Sequence, residues 1–308
     1  MIQDKRLIFC YWEQMEFDYV IVGAGSAGCV LANRLSQCGK YSVALLEAGP
    51  TDYSPWIHVP VGYFRTMGNP KTDWCYKTQN DPGLNGRSIS WPRGRVLGGS
   101  SSINGLLYVR GQPQDFDNWG QLGCKGWTWD DVLPYFKRSE TWLGNDTSGV
   151  RGHDGPLSVQ PSRLKRNIVD RWVDAATEAG YGRNTDYNGI EQEGVGYFQL
   201  TIKGGRRCSS ASAYLTPIKK RKNLTIIPNT YTKRINIFDG RASSVEVANT
   251  KDLNVVTARK EIVLCAGSIG SPQILMLSGV GEGSEIRRHG IVVKSEVPGV
   301  GKNLQDHL

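Results

Sequence analysis

Phe17-Asp-Tyr-Val-Ile-Val-Gly23-Ala-Gly25-Ser-Ala-Gly28, then a helical stretch, then Ser42-Val-Ala-Leu-Leu-Glu47, decides the fold of this chain. Tyr19 to Val22 is an apolar run of the kind buried in a parallel sheet. Ala27, Val30, Leu31 and Leu35 fall at helical spacing on one face, which predicts the packing side of the following helix. Between strand and helix lies a glycine turn. Gly23 permits the bend, Gly25 lets backbone approach a pyrophosphate, and Gly28 lets the helix lie close on the strand. The N–H groups around Ser26 and Ala27 then face phosphate at a helix N-terminus. Glu47, followed by Ala48, ends the second strand about 20 residues on, where a carboxylate accepts from ribose hydroxyls and repels a 2′-phosphate. The unit therefore argues for a dinucleotide and against NADP, and leaves NAD and FAD open.

Length and composition suit an enzyme. A chain of 308 residues accommodates about two domains with a large core. With 39% hydrophobic and 21% charged residues and no apolar run near the ~18 residues of a membrane span, it reads as a globular rather than an integral membrane protein. The formal charge of +8 is scattered except at Lys219-Lys220-Arg221-Lys222, read as a solvated turn, so nucleic acid is not an expected partner. Contact with a membrane surface stays open. Seven cysteines without CxxC or framework spacing suit reduced cytosolic thiols, with Cys29 and Cys265 as small core residues. His58, His153, His289 and His307 show no metal-ligand spacing, so no metal is expected. Asn145-Asp-Thr and Asn223-Leu-Thr match the glycosylation pattern by chance. Residues 1–14, just before Met15, read as an extension that adds nothing to the fold and resemble no leader.

Two further stretches carry chemistry. Ser90-Trp-Pro-Arg-Gly-Arg95-Val96-Leu-Gly98-Gly99-Ser100-Ser-Ser-Ile103-Asn104-Gly105 bares backbone N–H groups and hydroxyls, suited to a pyrophosphate or a polar ring edge. Glu261-Ile-Val-Leu-Cys-Ala266-Gly267-Ser268 is a buried strand running into a small-residue turn, after which Ser271-Pro272 is expected to start a helix that ends at Ser278-Gly279. No G-x-S-x-G elbow occurs, which removes a serine hydrolase from consideration.

GRVLGGSSSINGLLYVRGQPQDFD at 94–117 and GSIGSPQILMLSGVG at 267–281 resemble the two signatures of the glucose-methanol-choline (GMC) oxidoreductases, flavoenzymes that oxidise alcohols. FDYVIVGAGSAG, Thr72-Asp73-Trp74 with Tyr76, Gly126-Trp127 with Pro134-Tyr135-Phe136, and Pro298 to His307 match as well, so the resemblance covers 15–308. Within the family it most resembles choline dehydrogenase-like and medium-chain alcohol dehydrogenase members, rather than the fungal glucose oxidases. The resemblance implies FAD, with Gly23, Gly25, Ser26, Ala27 and Gly28 at its pyrophosphate and Glu47 with Ala48 at the adenosine ribose. It further implies Arg95, Val96, Gly98, Gly99 and Ser100 along pyrophosphate and flavin, and Asn104 with Gly105 near the isoalloxazine. Thr232, in the strand region Asn229 to Ile237, corresponds to a backbone contact to adenine, and Ala266, Gly267 and Ser268 pass beside the dinucleotide. Ile103 stands where some members carry a histidine bonded to the flavin, so the FAD is expected to be non-covalent.

The family passes a hydride from an alcohol carbon to flavin N5 while a histidine, paired with a histidine or asparagine, takes the proton. That pair lies in the family's C-terminal part, beyond Gln305-Asp306-His307. No catalytic residue is therefore expected in these 308 residues, and the expectation is a partial sequence. The implied fold class is α/β: a doubly wound, Rossmann-like FAD-binding domain from 15–157 and 206–308, with part of a second α+β substrate domain from 158–205. Within the latter, Ile168, Trp172, Ala175, Ala176 and Ala179 predict an amphipathic helix ended by Gly180. The substrate is expected to be choline or another primary alcohol. The electron acceptor (quinone, cytochrome or oxygen) stays open, as does a site in the cytoplasm or at the inner membrane surface. The alternatives are an NAD-dependent Rossmann dehydrogenase, which leaves 94–117 unexplained, and a non-catalytic flavin-binding fragment.

Overall fold

A computed structural model describes residues 15–249 and 255–306. The expected extension 1–14 and His307 lie outside the described residues. The chain forms two compact units, one from the described residues of Met1–Thr51, Arg95–Gly99 and Ile218–Leu308, the other from Asp52–Gly94 and Ser100–Pro217. This partition by packing differs from the 15–157 and 206–308 against 158–205 division expected from the motifs, which concerns what each part binds.

The first unit is built on a six-stranded sheet. Its strands are β1 (Met15–Val22), β2 (Val43–Leu46), β3 (Leu224–Ile227), β4 (Thr230–Phe238), β5 (Arg241–Asn249) and β6 (Val255–Leu264), in the order β3-β2-β1-β6-β5-β4. All four residues of β2 are buried and β1 ends in three buried residues, as continuous apolar runs in a parallel sheet require. Val20, Val22, Ala44, Leu46, Ile227, Val245 and Val256 form the core on one face. Helix α1 (Ser26–Leu35) crosses from β1 to β2, and β6 flanks β1 on the other side, so β1 marks the reversal of strand order where doubly wound sheets bind ligands. Val22 pairs with both Leu46 and Leu264, and Leu46 with Ile227, so the carboxyl ends of the four parallel strands stand in one row. Antiparallel β4 and β5 turn at Asp239-Gly240, both left-handed, as a two-residue hairpin of right-handed twist demands.

Two local expectations change. In α1 the buried residues are Gly28, Cys29, Ala32 and Asn33, while Ala27 is exposed and Val30, Leu31 and Leu35 are half-buried. The helix lies so close to β1 that only small side chains fit beneath it: a Cβ on Gly28 would collide with the Gly23 carbonyl. The late helix, α2 (Gly267–Leu277), starts four residues before Ser271, placing Pro272 inside it with no N–H for the Ser268 carbonyl. The basic run is also more than a solvated turn. Arg221 Nη1 donates to the Asn33 carbonyl at 2.6 Å and to Ser36 Oγ at 2.9 Å, closing the C-terminal end of α1 where a cation is favoured.

The second unit is α+β. A short three-stranded sheet (Glu140–Trp142, Leu157–Pro161, Gln199–Leu200) is accompanied by helices Pro113–Gln121, Trp129–Ser139 and Asn167–Glu178. The last helix exists as expected, but Val173 is its buried residue; Ile168 is 77% and Trp172 62% exposed. Two strands of the sheet carry members of a buried polar cluster, Glu140 and Gln199. Glu140 receives Arg110 Nη2 at 2.5 Å, Arg151 Nη2, Arg151 Nε at 3.1 Å and the Gly152 N–H at 3.1 Å, and Arg151 also meets Asp186 and Gln199. Among the described residues no helix is long and apolar enough to cross a membrane, and no cluster of three potential metal ligands occurs.

Candidate functional site

The glycine turn sits where β1 ends. Gly23 has φ +98°, and a Cβ there would stand 2.5 Å from the Cys265 carbonyl oxygen, so both conformation and close packing require glycine. Gly23 N–H donates to the Leu46 carbonyl at 2.8 Å and Cys265 N–H to Val22 at 2.7 Å, which joins the ends of β2, β1 and β6. Gly25 differs from its neighbours. It is the N-cap of α1 with φ −75° and ψ −162°, makes no side-chain cap, and has nothing within 4 Å of where a Cβ would lie. Ser26 and Ala27 after it are exposed. The first turn of α1 thus presents its N–H groups, with the positive end of the helix dipole, to open space beside Gly25, an arrangement suited to a pyrophosphate.

Glu47 is buried beside this turn. Its Oε2 accepts from Ala24 N–H and its Oε1 from Gly49 N–H, each at 2.9 Å. Burial pushes its pKa up to about 7, opposed by those two N–H groups and the charge of Arg95. Each oxygen keeps a lone pair for a ribose hydroxyl. Thr230 N–H donates to the Glu47 carbonyl and Asn229 N–H to Gly49, each at 2.8 Å, so β4 starts against the acid and Thr232, buried, lies two residues along it. The segment Arg95–Gly99 closes the other side. Leu97 N–H donates to Pro50 at 3.0 Å, Gly98 N–H donates to Ala24 at 2.8 Å, and a Cβ on Gly99 would fall 2.7 Å from the Gly25 Cα. Ala266, the N-cap of α2, and Gly267 with Ser268 follow the end of β6.

The first unit thus brings together Gly23, Gly25, Ser26, Ala27, Gly28, Glu47, Ala48, Arg95, Val96, Gly98 and Gly99, with Thr232, Ala266, Gly267 and Ser268 on strands and turns of the same sheet end. Ser100, Asn104 and Gly105 belong to the second unit. There Ser100 Oγ accepts from Gly94 N–H at 3.1 Å, and its carbonyl accepts from Ile103 and Asn104 N–H. Asn104 Oδ1 accepts from Leu106 N–H at 3.1 Å and from Arg207 Nη1 at 2.7 Å, and a Cβ on the half-buried Gly105 would meet nothing within 4 Å. Sequence reading missed Gly49, whose Cβ would collide with the Arg95 carbonyl; a small residue two past the acid was the available sign. It also missed Arg207, for which the local sequence holds no signal.

Glu47 carries a pH signature in the ligand-free chain. Its folded pKa lies above its unfolded value of 4.5, so the folded state holds more protons between about pH 4.5 and 7. The contribution of Glu47 to stability is then greatest below that window and falls as pH rises through it, by about 3 kcal/mol. Thermal unfolding from pH 4.5 to 8 is expected to show this slope in the wild type and a flatter one in Glu47→Gln, which cannot titrate. Parallel slopes would count against a buried, titrating Glu47.

The family model described as GMC oxidoreductase matches residues 17–308. The oxygen-dependent choline dehydrogenase of Rhizobium johnstonii is 47% identical over 294 residues, covering 96% of this chain and 53% of that protein; its namesake from Photobacterium profundum is 46% identical over 95% and 52%. Pyridoxine 4-oxidase from Mesorbium loti superposes with a TM-score of 0.90 at 36% identity, over 94% of this chain and 57% of that one. Formate oxidase from Aspergillus oryzae superposes at 0.86 and 32%, over 96% and 53%. The chain spans about half the length of the curated relatives it matches. Over residues 17–308, from the glycine turn past the late helix α2, the chain belongs to the GMC oxidoreductase family.

Proposed function

We propose that this chain holds FAD non-covalently and serves the oxidation of a CH–OH donor, choline or another primary alcohol, to the aldehyde. The observation that carries the reading is the open cradle of the first unit: an uncapped α1 N-terminus, space beside Gly25 and the buried carboxylate of Glu47 at one sheet end. Gly23, Gly25, Ser26, Ala27 and Gly28 would take the pyrophosphate, Glu47 and Ala48 the ribose, and Thr232 the adenine. Arg95, Val96, Gly98, Gly99 and Ser100, with Ala266, Gly267 and Ser268, would line the dinucleotide, and Asn104 with Gly105 the isoalloxazine. Bound FAD supplies the hydride acceptor; this chain's residues bind and orient it. Residues 158–205 are read as the first segment of the substrate part. The relatives named oxygen-dependent choline dehydrogenase favour choline-like substrates and oxygen over quinone or cytochrome. The free cysteines among the described residues favour a reducing compartment such as the cytoplasm.

Ile103, buried and without a nucleophilic atom, favours non-covalent attachment. The purified protein is expected to be yellow, and acid or heat precipitation is expected to release all its flavin into the supernatant. Flavin that stays with the pellet would refute non-covalent attachment. A colourless protein that takes up a nicotinamide cofactor instead would refute the FAD reading itself.

A further inference from the structure

Arg207 is buried and holds three oxygens with one guanidinium. Nε donates to the Ile57 carbonyl at 2.8 Å, and Nη1 donates to the Ser101 carbonyl at 3.2 Å and to Asn104 Oδ1 at 2.7 Å. No carboxylate is among its described partners, Nη2 is buried without a hydrogen-bond partner among the described residues, and burial pushes the pKa down to about 10. A desolvated cation without a counter-charge is costly to keep. What it holds is the amide of Asn104. Arginine only donates, so the amide atom facing Nη1 must be the oxygen. That oxygen also accepts from Leu106 N–H, which fixes the amide plane. Nδ2 of the half-buried Asn104 then faces away, donating to none of the described residues. Neither amide flip nor rotation is available without losing the Arg207 bond.

We propose that Arg207 is a positioning residue that locks Asn104 as an obligate hydrogen-bond donor to an acceptor atom of the isoalloxazine, so that the pair sets how readily the ring accepts negative charge. This rests on the reading of Asn104 as a flavin residue. A donor aimed at a ring oxygen or nitrogen favours the electron-rich ring, and the cation behind Oδ1 polarises the amide so that its N–H donates more strongly.

The test uses the FAD-loaded chain and sulfite, which adds at flavin N5 and leaves the ring negatively charged. Arg207→Met and Asn104→Leu are each expected to weaken sulfite binding about 10-fold or more and to shift the long-wavelength flavin band. The double variant is expected to be no weaker than Asn104→Leu alone, since one residue acts through the other. Arg207→Lys, which keeps the charge but reaches fewer oxygens, is expected to lie between wild type and Arg207→Met, and it supplies the readout if the methionine variant does not fold. Wild-type sulfite affinity in folded, flavin-bearing variants, or losses that simply add, overturns the proposal while FAD binding stands. A wild-type chain that takes up no FAD overturns the reading beneath it.

Discussion

Gly25→Val is expected to leave the protein folded and to strip it of FAD. Its backbone lies in a region any residue adopts and the space around a Cβ is open, so the fold accepts the side chain at the cost of a poorer N-cap, about 1 kcal/mol. The valine would fill the space proposed for the pyrophosphate, in front of the α1 N–H groups. Overpacking of this kind costs about 1–3 kcal/mol, and the lost phosphate bonds add to it, so FAD affinity should fall about 100-fold or more. Gly28→Val is the contrasting control. A Cβ there collides with the Gly23 carbonyl, backbone against backbone, and the loss should exceed about 4 kcal/mol, leaving little folded protein. Flavin absorbance after gel filtration, read beside thermal unfolding, separates the two. Wild-type flavin content in Gly25→Val would sink the placement of the pyrophosphate.

Glu140→Ala should be the most damaging change in the second unit. Its carboxylate is fully buried and answers both Arg110 and Arg151, themselves buried. Arg151 keeps Asp186, but Arg110 is left without a described carboxylate, facing the Val150 carbonyl, the Tyr108 hydroxyl and the Phe136 ring. An uncompensated buried guanidinium costs about 3–5 kcal/mol. In a chain of this size that lowers Tm by about 10 °C, readable by calorimetry. Asp174→Ala, which removes the exposed partner of Arg183, should change stability by less than about 1 kcal/mol. Equal, small effects from both would show that the buried cluster is not what stabilises the second unit.

The glycine turn was legible because each of its residues answers a local demand. Gly23 takes a conformation other residues resist, Gly28 sits under a close helix contact, and Glu47 follows a fully buried strand. Motif spacing also marked the other pieces, Arg95–Gly99 and Ala266–Ser268, that the fold brings to the same sheet end. The face of α1 was misread because side-chain size, and not hydrophobicity alone, decides what lies beneath a helix that approaches a strand so closely. The helix at 167–178 was found, yet Ile168 and Trp172 lie outside its packed side. Periodicity gives the stripe, whereas the neighbour that covers it is a tertiary matter.

By itself, then, the sequence determined the βαβ unit with its glycine turn and acid, because these depend on backbone conformation and steric limits along one short stretch, and the two long motifs at 94–117 and 267–281 marked the family. Only the tertiary structure decided that Gly23 lies against the Cys265 carbonyl, that Gly49 lies against Arg95, and that Arg207 reaches back over a hundred residues to hold Asn104. Those are meetings of segments far apart in the chain. No local pattern encodes them, since a buried guanidinium takes its partners from whatever backbone the fold brings within reach.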